Sequence, residues 1–502
     1  MALVLSSCHD ETSLPKETLS LEMYSGLKTP EYQINNQRIQ EKIHRLARVD
    51  NDRTAADLRT HKYYLNGGKY LWINRMGVSH SADTLLSFLY GVDTMGFTAR
   101  SFCVEQIEKD IRRVRTLDLG EMSYSEVLAR LEFNLTKAYF RYSVGQRFGF
   151  MNPTYTLNRF DVRDSDSVRV TYNHVFDIAM EHPTDSFFHV AMRKIGSDSV
   201  GFFLRAIHPA SPLYARLSAE LQRKDLSDSY RRKLLCNLER SRWRTLDSPE
   251  RHGRYVLVNI PAYQLYAVNK DSTLVARVGC GTMKTKTPLL HSQLMRIDVN
   301  PVWIIPYSII KKDIARHAGN ADYFHRHHYY VCERPSFRRV DLADVTSEML
   351  MSGRYSVVQE GGQGNSLGRI IFRFLNNFSV FLHDTSTPGF FSRDDRGVSH
   401  GCVRVQNPYL LAEFLLGDKT EMAEKVKYSM TADVGSHDEL PPEKRPKLNK
   451  KMLVRSVKIE PQVPLFLTYY TIYPDKDNHL VSYPDVYGYD GVMWEYLQTY
   501  MK

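Results

Sequence analysis

The stretch "FLHDTSTPGFFSRDDRGVSHGCVRV", residues 381–405, places His383 at the end of an apolar run and Cys402 after the polar loop that follows. A thiol at its ordinary pKa is a weak nucleophile at neutral pH, and a nearby base or hydrogen-bond donors activate it. A histidine on a strand that faces a cysteine on a loop is a workable base and nucleophile. The spacing therefore predicts a cysteine active site in the C-terminal half of the chain.

The neighbours of Cys402 fit the same interpretation. Gly401 lets the backbone bend so that successive N–H groups point at one spot, as an oxyanion hole requires. Arg404 adds positive charge, which would lower the pKa of the thiol or hold a substrate carboxylate. His400 could act through its side chain or contribute only its N–H. We favour the second role because His383 already supplies the base.

A purely structural interpretation of these residues stays open at this point. Cys402 could be a small buried apolar residue, and His383 could be a core histidine bonded to backbone. The spacing and the flanking glycine and arginine favour the catalytic interpretation.

Short β-rich runs surround this stretch. "YVLVNI", "QLYAV" and "TLVARVG" begin at Tyr255 and are separated by turn residues, which predicts a meander of strands. Residues 311–355 interrupt this pattern with a polar, helical insertion, and residues 430–451 are rich in proline and charge, as in an exposed loop. Further strands are predicted at Ile370–Phe374, Ser379–Leu382 and Pro464–Thr471.

The first half of the chain has a helical pattern. Residues 66–250 are predicted to form a helical domain, whose clearest helix runs from Ser123 to Gly145 with apolar residues at three- and four-residue steps. Residues 1–65 are polar and charged, and we interpret them as a tether with some helix. The chain is therefore α+β: a mostly helical domain is followed by a β domain over residues 251–502.

The N-terminus carries a possible anchor. "MALVLSSC", residues 1–8, resembles the lipobox of bacterial lipoproteins and would place a lipid on Cys8. The apolar run is short for a signal peptide and lacks a preceding positive region. It is therefore interpreted as a signal remnant, with a chance apolar tip as the alternative.

Composition narrows the class of protein. The formal charge of +10 permits a polyanionic partner, but lysine and arginine are scattered and no nucleic-acid-binding motif is present. The six cysteines form no C-x-x-C pair, which argues against a zinc module. Histidines 325, 327 and 328 lack carboxylate or cysteine partners, so we predict neither a metal nor an organic cofactor.

Several motifs together resemble a known family. His383, the Ser-His-Gly-Cys motif at 399–402, Arg404 and Asn407 are similar to the signature of the YkuD-type L,D-transpeptidase catalytic domain. "GTMKTKTPLLHSQLMRIDVNPVWIIPYSIIKKDI" and "GQGNSLGRIIFRF" occur in the order expected of the large, YcbB-like periplasmic members. "TLLSFLYGVDTMGF" and "LTKAYFRYSVGQRFGFMNP" resemble the scaffold domain of the same enzymes.

The resemblance implies a role for each matched residue. Cys402 would be the nucleophile, His383 the general base and later acid, and the N–H groups of Ser399, His400, Gly401 and Cys402 the oxyanion donors. Trp303 would line the acyl-donor pocket, and the 311–355 insertion would cap the substrate. The resemblance also implies a β-sandwich for the catalytic domain. Large members often carry tyrosine at the position that Phe381 occupies here.

The implied reaction joins peptidoglycan stem peptides through 3→3 cross-links, in the periplasm, with a carbapenem expected to form a covalent adduct. Water as acceptor would give an L,D-carboxypeptidase, and a protein amine would give attachment of that protein to the wall. A non-catalytic wall-binding lipoprotein on the same fold is the alternative from another class.

Overall fold

The computed structural model describes residues 30–74, 77–166, 169–270, 272–434, 444 and 446–500. The predicted lipid anchor at Cys8 lies outside the described residues, as do residues 435–443 of the predicted 430–451 loop. Among the described helices, none combines the length and the apolar character that a bilayer span requires.

Helices dominate the first half of the chain and strands the second, so the α+β class is confirmed. The helices are α1 (Asn36–Val49), α2 (Ala55–Leu65), α3 (His80–Tyr90), α4 (Val104–Thr116), α5 (Tyr124–Phe148), α6 (Pro153–Leu157), α7 (Asp185–Gly196), α8 (Val200–Ala206), α9 (Pro212–Leu221), α10 (Asp228–Arg242), α11 (Tyr307–Ile309), α12 (Ala321–Arg326), α13 (Ser347–Met351), α14 (Pro408–Leu416), α15 (Thr420–Thr431) and α16 (Tyr489–Leu497).

The strands are β1 (Ile73–Asn74), β2 (Gly77–Val78), β3 (Val162–Asp166), β4 (Arg169–Tyr172), β5 (Phe176–Asp177), β6 (Arg254–Asn259), β7 (Gln264–Asn269), β8 (Ser272–Gly281), β9 (Leu289–Val299), β10 (Trp303–Ile304), β11 (Tyr329–Glu333), β12 (Arg339–Val340), β13 (Tyr355–Gln359), β14 (Ile370–Phe374), β15 (Leu382–His383), β16 (Gly397–Ser399), β17 (Val403–Val405), β18 (Ser456–Thr468), β19 (Ile472–Pro474) and β20 (Leu480–Ser482).

The chain divides into two compact units, each built from several segments. The helical unit comprises Met1–Asn152, Met180–Leu246 and Asp490–Lys502, and the strand-rich unit comprises Pro153–Ala179 and Asp247–Tyr489. This division differs from a boundary at residue 250 in three segments: 153–179, 247–250 and 490–502. One of them carries β5, whose parallel pairing with β9 explains why it groups with the strands.

Helix α5 is the centre of the helical unit. Ser123 and Glu126 form a capping box at its start, and Gly149, with φ +90°, ends it one turn after Gly145. Both sides of the helix are buried, since the other helices surround it. The predicted helix from Ser123 to Gly145 is therefore present and extends to Phe148.

Residues 36–65, interpreted from sequence as part of a tether, form α1 and α2 and belong to the core of the helical unit. Asn35 caps α1, and Thr54 with Asp57 forms a capping box on α2. Ile39 and Ile43 of α1 are each 2% exposed. These helices bury an apolar face against α5, which contributes to the stability of the unit.

The strand-rich unit contains one sheet that closes on itself. Its order is β14-β15-β17-β8-β7-β6-β18-β9-β5, and β14 also pairs with β9, so the path returns to its first strand. β16 pairs in parallel with β8 at Ser399. The closure places β15 and β17 side by side, and the loop between them leads from His383 to Cys402.

The insertion contains more than helices, and its structure extends beyond the predicted residues 311–355 to include β10 and β13. Its short helical segments pack with a four-stranded antiparallel sheet, β10-β13-β11-β12, around a separate apolar core that includes Phe324 and Val357. The β-rich runs "YYVCE" and "YSVVQ" form its two longest strands. Because polar residues surround these runs, the sequence pattern predicted a helical insertion and not this sheet.

Candidate active site

The site is built on two adjacent parallel strands. Leu382 of β15 pairs with Val403 of β17, and His383 pairs with Arg404. Side chains alternate between the faces of a strand, so Leu382 and Val403 enter the core while His383 and Arg404 face the other way. Cys402, one residue before Val403, shares the face of His383. The thiol and the imidazole are thus diagonal neighbours on one face of the sheet.

His383 is held as a neutral base. Its Nδ1–H donates to the Asp384 carbonyl at 2.5 Å, which leaves Nε2 with its lone pair. Burial, helped by the positive charge of Arg404, lowers the pKa of His383 to about 4, although the carbonyls of Asp384 and Leu367 act in the opposite direction. The imidazole is therefore uncharged at neutral pH and can accept a proton at Nε2.

Asp384 and Gly368, two residues that the sequence pattern did not indicate, support this orientation. The Asp384 carboxylate accepts the Arg369 N–H at 2.8 Å. A Cβ on Gly368, whose φ is +69°, would lie 2.4 Å from the Asp384 side chain, so only glycine fits there. The glycine-rich run "GGQGNSLG" before β14 is the sequence feature that could have indicated this close contact between the backbone and the Asp384 side chain.

The thiol of Cys402 is also neutral at rest. Burial raises its pKa above the ordinary value, although the Phe381 backbone and the Arg404 charge act to lower it. Arg404 thus lowers the pKa of the thiol, as predicted, but burial raises that pKa by more. No hydrogen bond joins the thiol to the His383 imidazole among the contacts of the described residues. Catalytic hydrogen bonds often tighten only when substrate binds.

Hydrogen bonds of the Ser399 side chain fix the conformation of the Ser399–Cys402 turn. The Ser399 hydroxyl donates to the Cys402 carbonyl at 2.6 Å and accepts the Gly401 N–H at 3.1 Å. Gly401 has φ +116°, a conformation that side chains rarely adopt. The Gly401 N–H is therefore engaged within the turn, which differs from the expectation that it faces an oxyanion. His400 is exposed at the tip of the turn.

Arg404 is half-buried beside the thiol. Its guanidinium lies 5.7 Å from the centre of the Phe390 ring, and its buried Nε has no hydrogen-bond partner among the described residues. Burial lowers the pKa of Arg404, while the nearby Cys402 raises it. A positive group with unused donors could hold a carboxylate at this place.

Trp303 belongs to a different sheet from these residues. It pairs with Gln359 in the small sheet of the insertion and packs, half-buried, against the insertion's apolar core. Its role in an acyl-donor pocket stays a prediction. The Arg373 guanidinium carbon lies 4.8 Å from the centre of the Phe381 ring.

Two other sequence questions concern metals and disulfides. Within the described ranges, no group of three or more histidine, cysteine or acidic side chains is placed to hold a metal ion. Cysteines 103, 236, 280, 332 and 402 form no disulfide with one another in the described part of the chain. Cys280 is fully buried, which raises the pKa of its thiol to about 12 and distinguishes it from Cys402.

Comparison with known proteins agrees with this architecture. Residues 253–427 match the L,D-transpeptidase catalytic domain of the YkuD type, and residues 56–221 match the Scaffold domain. The chain therefore carries a YkuD-type L,D-transpeptidase catalytic domain together with an N-terminal Scaffold domain.

One curated relative carries the same assignment in its name. A Haemophilus influenzae protein named "Putative L,D-transpeptidase" is 29% identical over 255 residues, which is 49% of this chain. The match covers 48% of that protein, so the chain spans about half the length of the curated relative it matches.

Proposed function

We propose that this protein is a peptidoglycan L,D-transpeptidase in which Cys402 is the nucleophile and His383 is the general base. The observation that supports the proposal most is the pairing of β15, which ends at His383, with β17, which begins directly after Cys402, together with a neutral His383 imidazole whose Nδ1–H donates to the Asp384 carbonyl. The match of residues 253–427 to the L,D-transpeptidase catalytic domain supports the reaction class.

The acylation step would begin from a neutral pair. His383 Nε2 takes the Sγ proton as the sulfur attacks the carbonyl carbon of the third residue in a stem tetrapeptide. The carbonyl oxygen becomes an oxyanion and binds backbone N–H groups of the Ser399–Cys402 turn. When the intermediate collapses, the C–N bond to the terminal D-Ala breaks, and His383 returns the proton to the departing amine.

The second half-reaction would transfer the acyl group. The side-chain amine of another stem peptide attacks the thioester carbonyl, His383 removes a proton from that amine, and the Cys402 sulfur leaves. The products are a 3→3 cross-linked dimer and the free enzyme. Arg404, with its unused donors beside the sulfur, would hold a carboxylate of the donor peptide.

The test uses purified protein and a disaccharide tetrapeptide, with products separated by chromatography and weighed. We expect loss of D-Ala and a dimer of the corresponding mass. C402A should abolish both products, and H383Q should lower the rate by about 10²–10⁴-fold, the usual contribution of a general base. C332A, which changes a buried cysteine of the insertion, is the matched control and should retain activity.

The same experiment distinguishes the acceptors. Release of tripeptide without dimer would identify water as the acceptor, and a protein conjugate formed only with an added amine-bearing protein would identify wall attachment. Incubation with a carbapenem should add the mass of the drug at Cys402. A wild-type protein that neither releases D-Ala nor gains this mass would identify a non-catalytic protein and overturn the proposal.

We also propose that the protein acts in the bacterial periplasm and carries a lipid anchor on Cys8, which the lipobox-like residues 1–8 favour. Growth with an alkyne-tagged fatty acid should label the wild-type protein and not the C8S variant. Equal labelling of both would remove the anchor from the proposal.

A further inference from the structure

Two backbone N–H groups of the nucleophile turn have no acceptor. Among the described residues, the N–H groups of His400 and Cys402 make no hydrogen bond, whereas those of Gly401 and Val403 donate to Ser399 Oγ and the Phe381 carbonyl. His400 is exposed and Cys402 is partly exposed. These two N–H groups are therefore the donors available to an oxyanion.

Each of these N–H groups belongs to a peptide unit whose carbonyl is held by a threonine. In a trans peptide, the C=O of one residue and the N–H of the next point in opposite directions. The partner of the His400 N–H is the Ser399 carbonyl, which accepts the Thr285 hydroxyl at 2.8 Å. The partner of the Cys402 N–H is the Gly401 carbonyl, which accepts the Thr287 hydroxyl at 2.9 Å.

Thr287 is itself held rigidly. It is fully buried, and its hydroxyl also accepts the Gly281 N–H at 2.9 Å. Its own N–H donates to the Tyr487 hydroxyl at 3.0 Å, and that hydroxyl donates to the Gly281 carbonyl at 2.8 Å. This closed cycle of hydrogen bonds leaves the Thr287 hydroxyl proton directed at Gly401.

Thr285 is held less completely. It is half-buried, and its hydroxyl also contacts the Thr282 hydroxyl at 2.9 Å. The Ser399 carbonyl additionally accepts the Thr282 N–H at 3.1 Å. Loss of the Thr285 hydroxyl would therefore leave one donor on this carbonyl, whereas the Gly401 carbonyl would lose its hydroxyl donor together with Thr287.

We infer that Thr285 and Thr287 are positioning residues that orient the His400 and Cys402 N–H groups into an oxyanion hole. By binding the carbonyls on the far side of the two peptide units, the hydroxyls fix the planes of both units and polarise both N–H groups. The inference rests on the proposed acyl transfer at Cys402. It assigns a function to the "TKT" run at 285–287.

The test compares two reactions of the same sulfur. Attack on a carbapenem carbonyl passes through an oxyanion, whereas alkylation by iodoacetamide occurs at a saturated carbon and forms none. T287V should slow acylation by about tenfold or more, since direct loss of one oxyanion donor costs about 10²–10³. The alkylation rate should stay at the wild-type value. With the tetrapeptide, kcat should fall while KM is unchanged.

Matched variants complete the experiment. T287S keeps the hydroxyl and should restore acylation, and T285V should have a smaller effect than T287V because Thr282 still donates to the Ser399 carbonyl. T468V removes a threonine hydroxyl that donates to the Val258 carbonyl away from the turn, and it should acylate at the wild-type rate. If T287V does not fold, T285V tests the same inference alone, by slower acylation with unchanged alkylation.

The outcomes separate this inference from the proposed function. A wild-type protein that is alkylated at Cys402 but never acylated would overturn the proposed function. A wild-type protein that is acylated, together with folded T287V and T285V variants that acylate at the same rate, would overturn only the inference. Equal losses of acylation and alkylation in these variants would also overturn it, because the threonines would then act on the thiol and not on the oxyanion.

Discussion

Arg404 and burial act differently on the two reacting groups. The positive charge of Arg404 lowers the pKa of both the Cys402 thiol and the His383 imidazole. Burial disfavours the charged form of each group, so it raises the pKa of the thiol and lowers that of the imidazole. The two effects oppose each other at Cys402 and add at His383. The result is a neutral thiol beside a neutral base, in place of a preformed ion pair.

Replacing Arg404 tests this balance. In R404Q the pKa of both groups should rise, so less of Cys402 is thiolate at a given pH and its alkylation by iodoacetamide should be slower near pH 8. The midpoint of the rate-against-pH curve should shift to higher pH. R338Q removes an exposed arginine of the insertion and serves as the control. A midpoint that stays in place or moves to lower pH in R404Q would contradict this account.

The local pattern was sufficient to nominate Cys402 and His383, because a cysteine and a histidine in these flanking sequences have few structural roles. The carbonyls of Asp384 and Leu367 could not be predicted. Their effect on His383 depends on the path of the backbone, and every residue type carries the same carbonyl group.

At the scale of elements, α1 and α2 show why a charged segment can belong to a core. Asp57 of α2 is fully buried and pairs with Arg141 of α5 at 2.6 Å. Asp50, which follows α1, pairs with Lys137 of α5 at 2.5 Å. The charges that suggested a tether are thus neutralised by partners 84 and 87 residues away, which no local pattern reveals.

A matched pair of substitutions in this region distinguishes a core helix from a tether. Ile43→Ala should destabilise the helical unit by about 2–4 kcal/mol, because it opens a cavity at a side chain that is 2% exposed. Ile34→Ala, at a side chain that is 68% exposed, should have almost no effect. Urea denaturation followed by circular dichroism measures both. Equal stabilities for the two variants would indicate that α1 does not pack as described.

The insertion illustrates a different limit at this scale. Its helices could be predicted from the polar, strand-breaking composition of residues 311–355. The sequence pattern did not predict strands β11 and β13, because each is only five residues long and their pairing joins segments more than 20 residues apart. Short strands become recognisable only when their partners are known.

Across the whole molecule, three histidines share one electrostatic property: His383 is buried, and His208 and His291 are half-buried. Burial lowers the pKa of His208, His291 and His383 to about 4 in each case. A hydrogen bond of 2.7 Å also joins His208 Nε2 to the Tyr142 hydroxyl. All three are neutral in the folded protein at pH 7, and their unfolded pKa is near 6.5.

Stability should therefore decrease with acid. Between pH 6.5 and pH 4 the histidines bind protons in the unfolded chain but not in the folded protein. The free energy of unfolding therefore falls as pH falls, and the stabilising contribution of the histidines is fully present only above pH 6.5. Each histidine contributes at most about 3 kcal/mol to this loss. Urea titrations at several pH values measure the slope.

Two variants check the source of that slope. H291Q should flatten the dependence between pH 6.5 and pH 4, since it removes one of the three titrating groups. H479Q changes a histidine whose side chain is 79% exposed and should leave the slope unchanged. An unchanged slope in H291Q, or stability that rises with acid in the wild type, would contradict the assignment of neutral histidines.

The sequence by itself determined the α+β class, the long helix α5, the strands around Tyr255 and the nomination of Cys402 with His383, because these follow from periodicity and from residue types within one segment. Only the tertiary structure decided the protonation state of the two groups, which N–H groups remain for an oxyanion, and the inclusion of residues 36–65 in a core. Those properties depend on burial and on hydrogen bonds between segments far apart in the chain, such as the contact of Thr287 with Gly401.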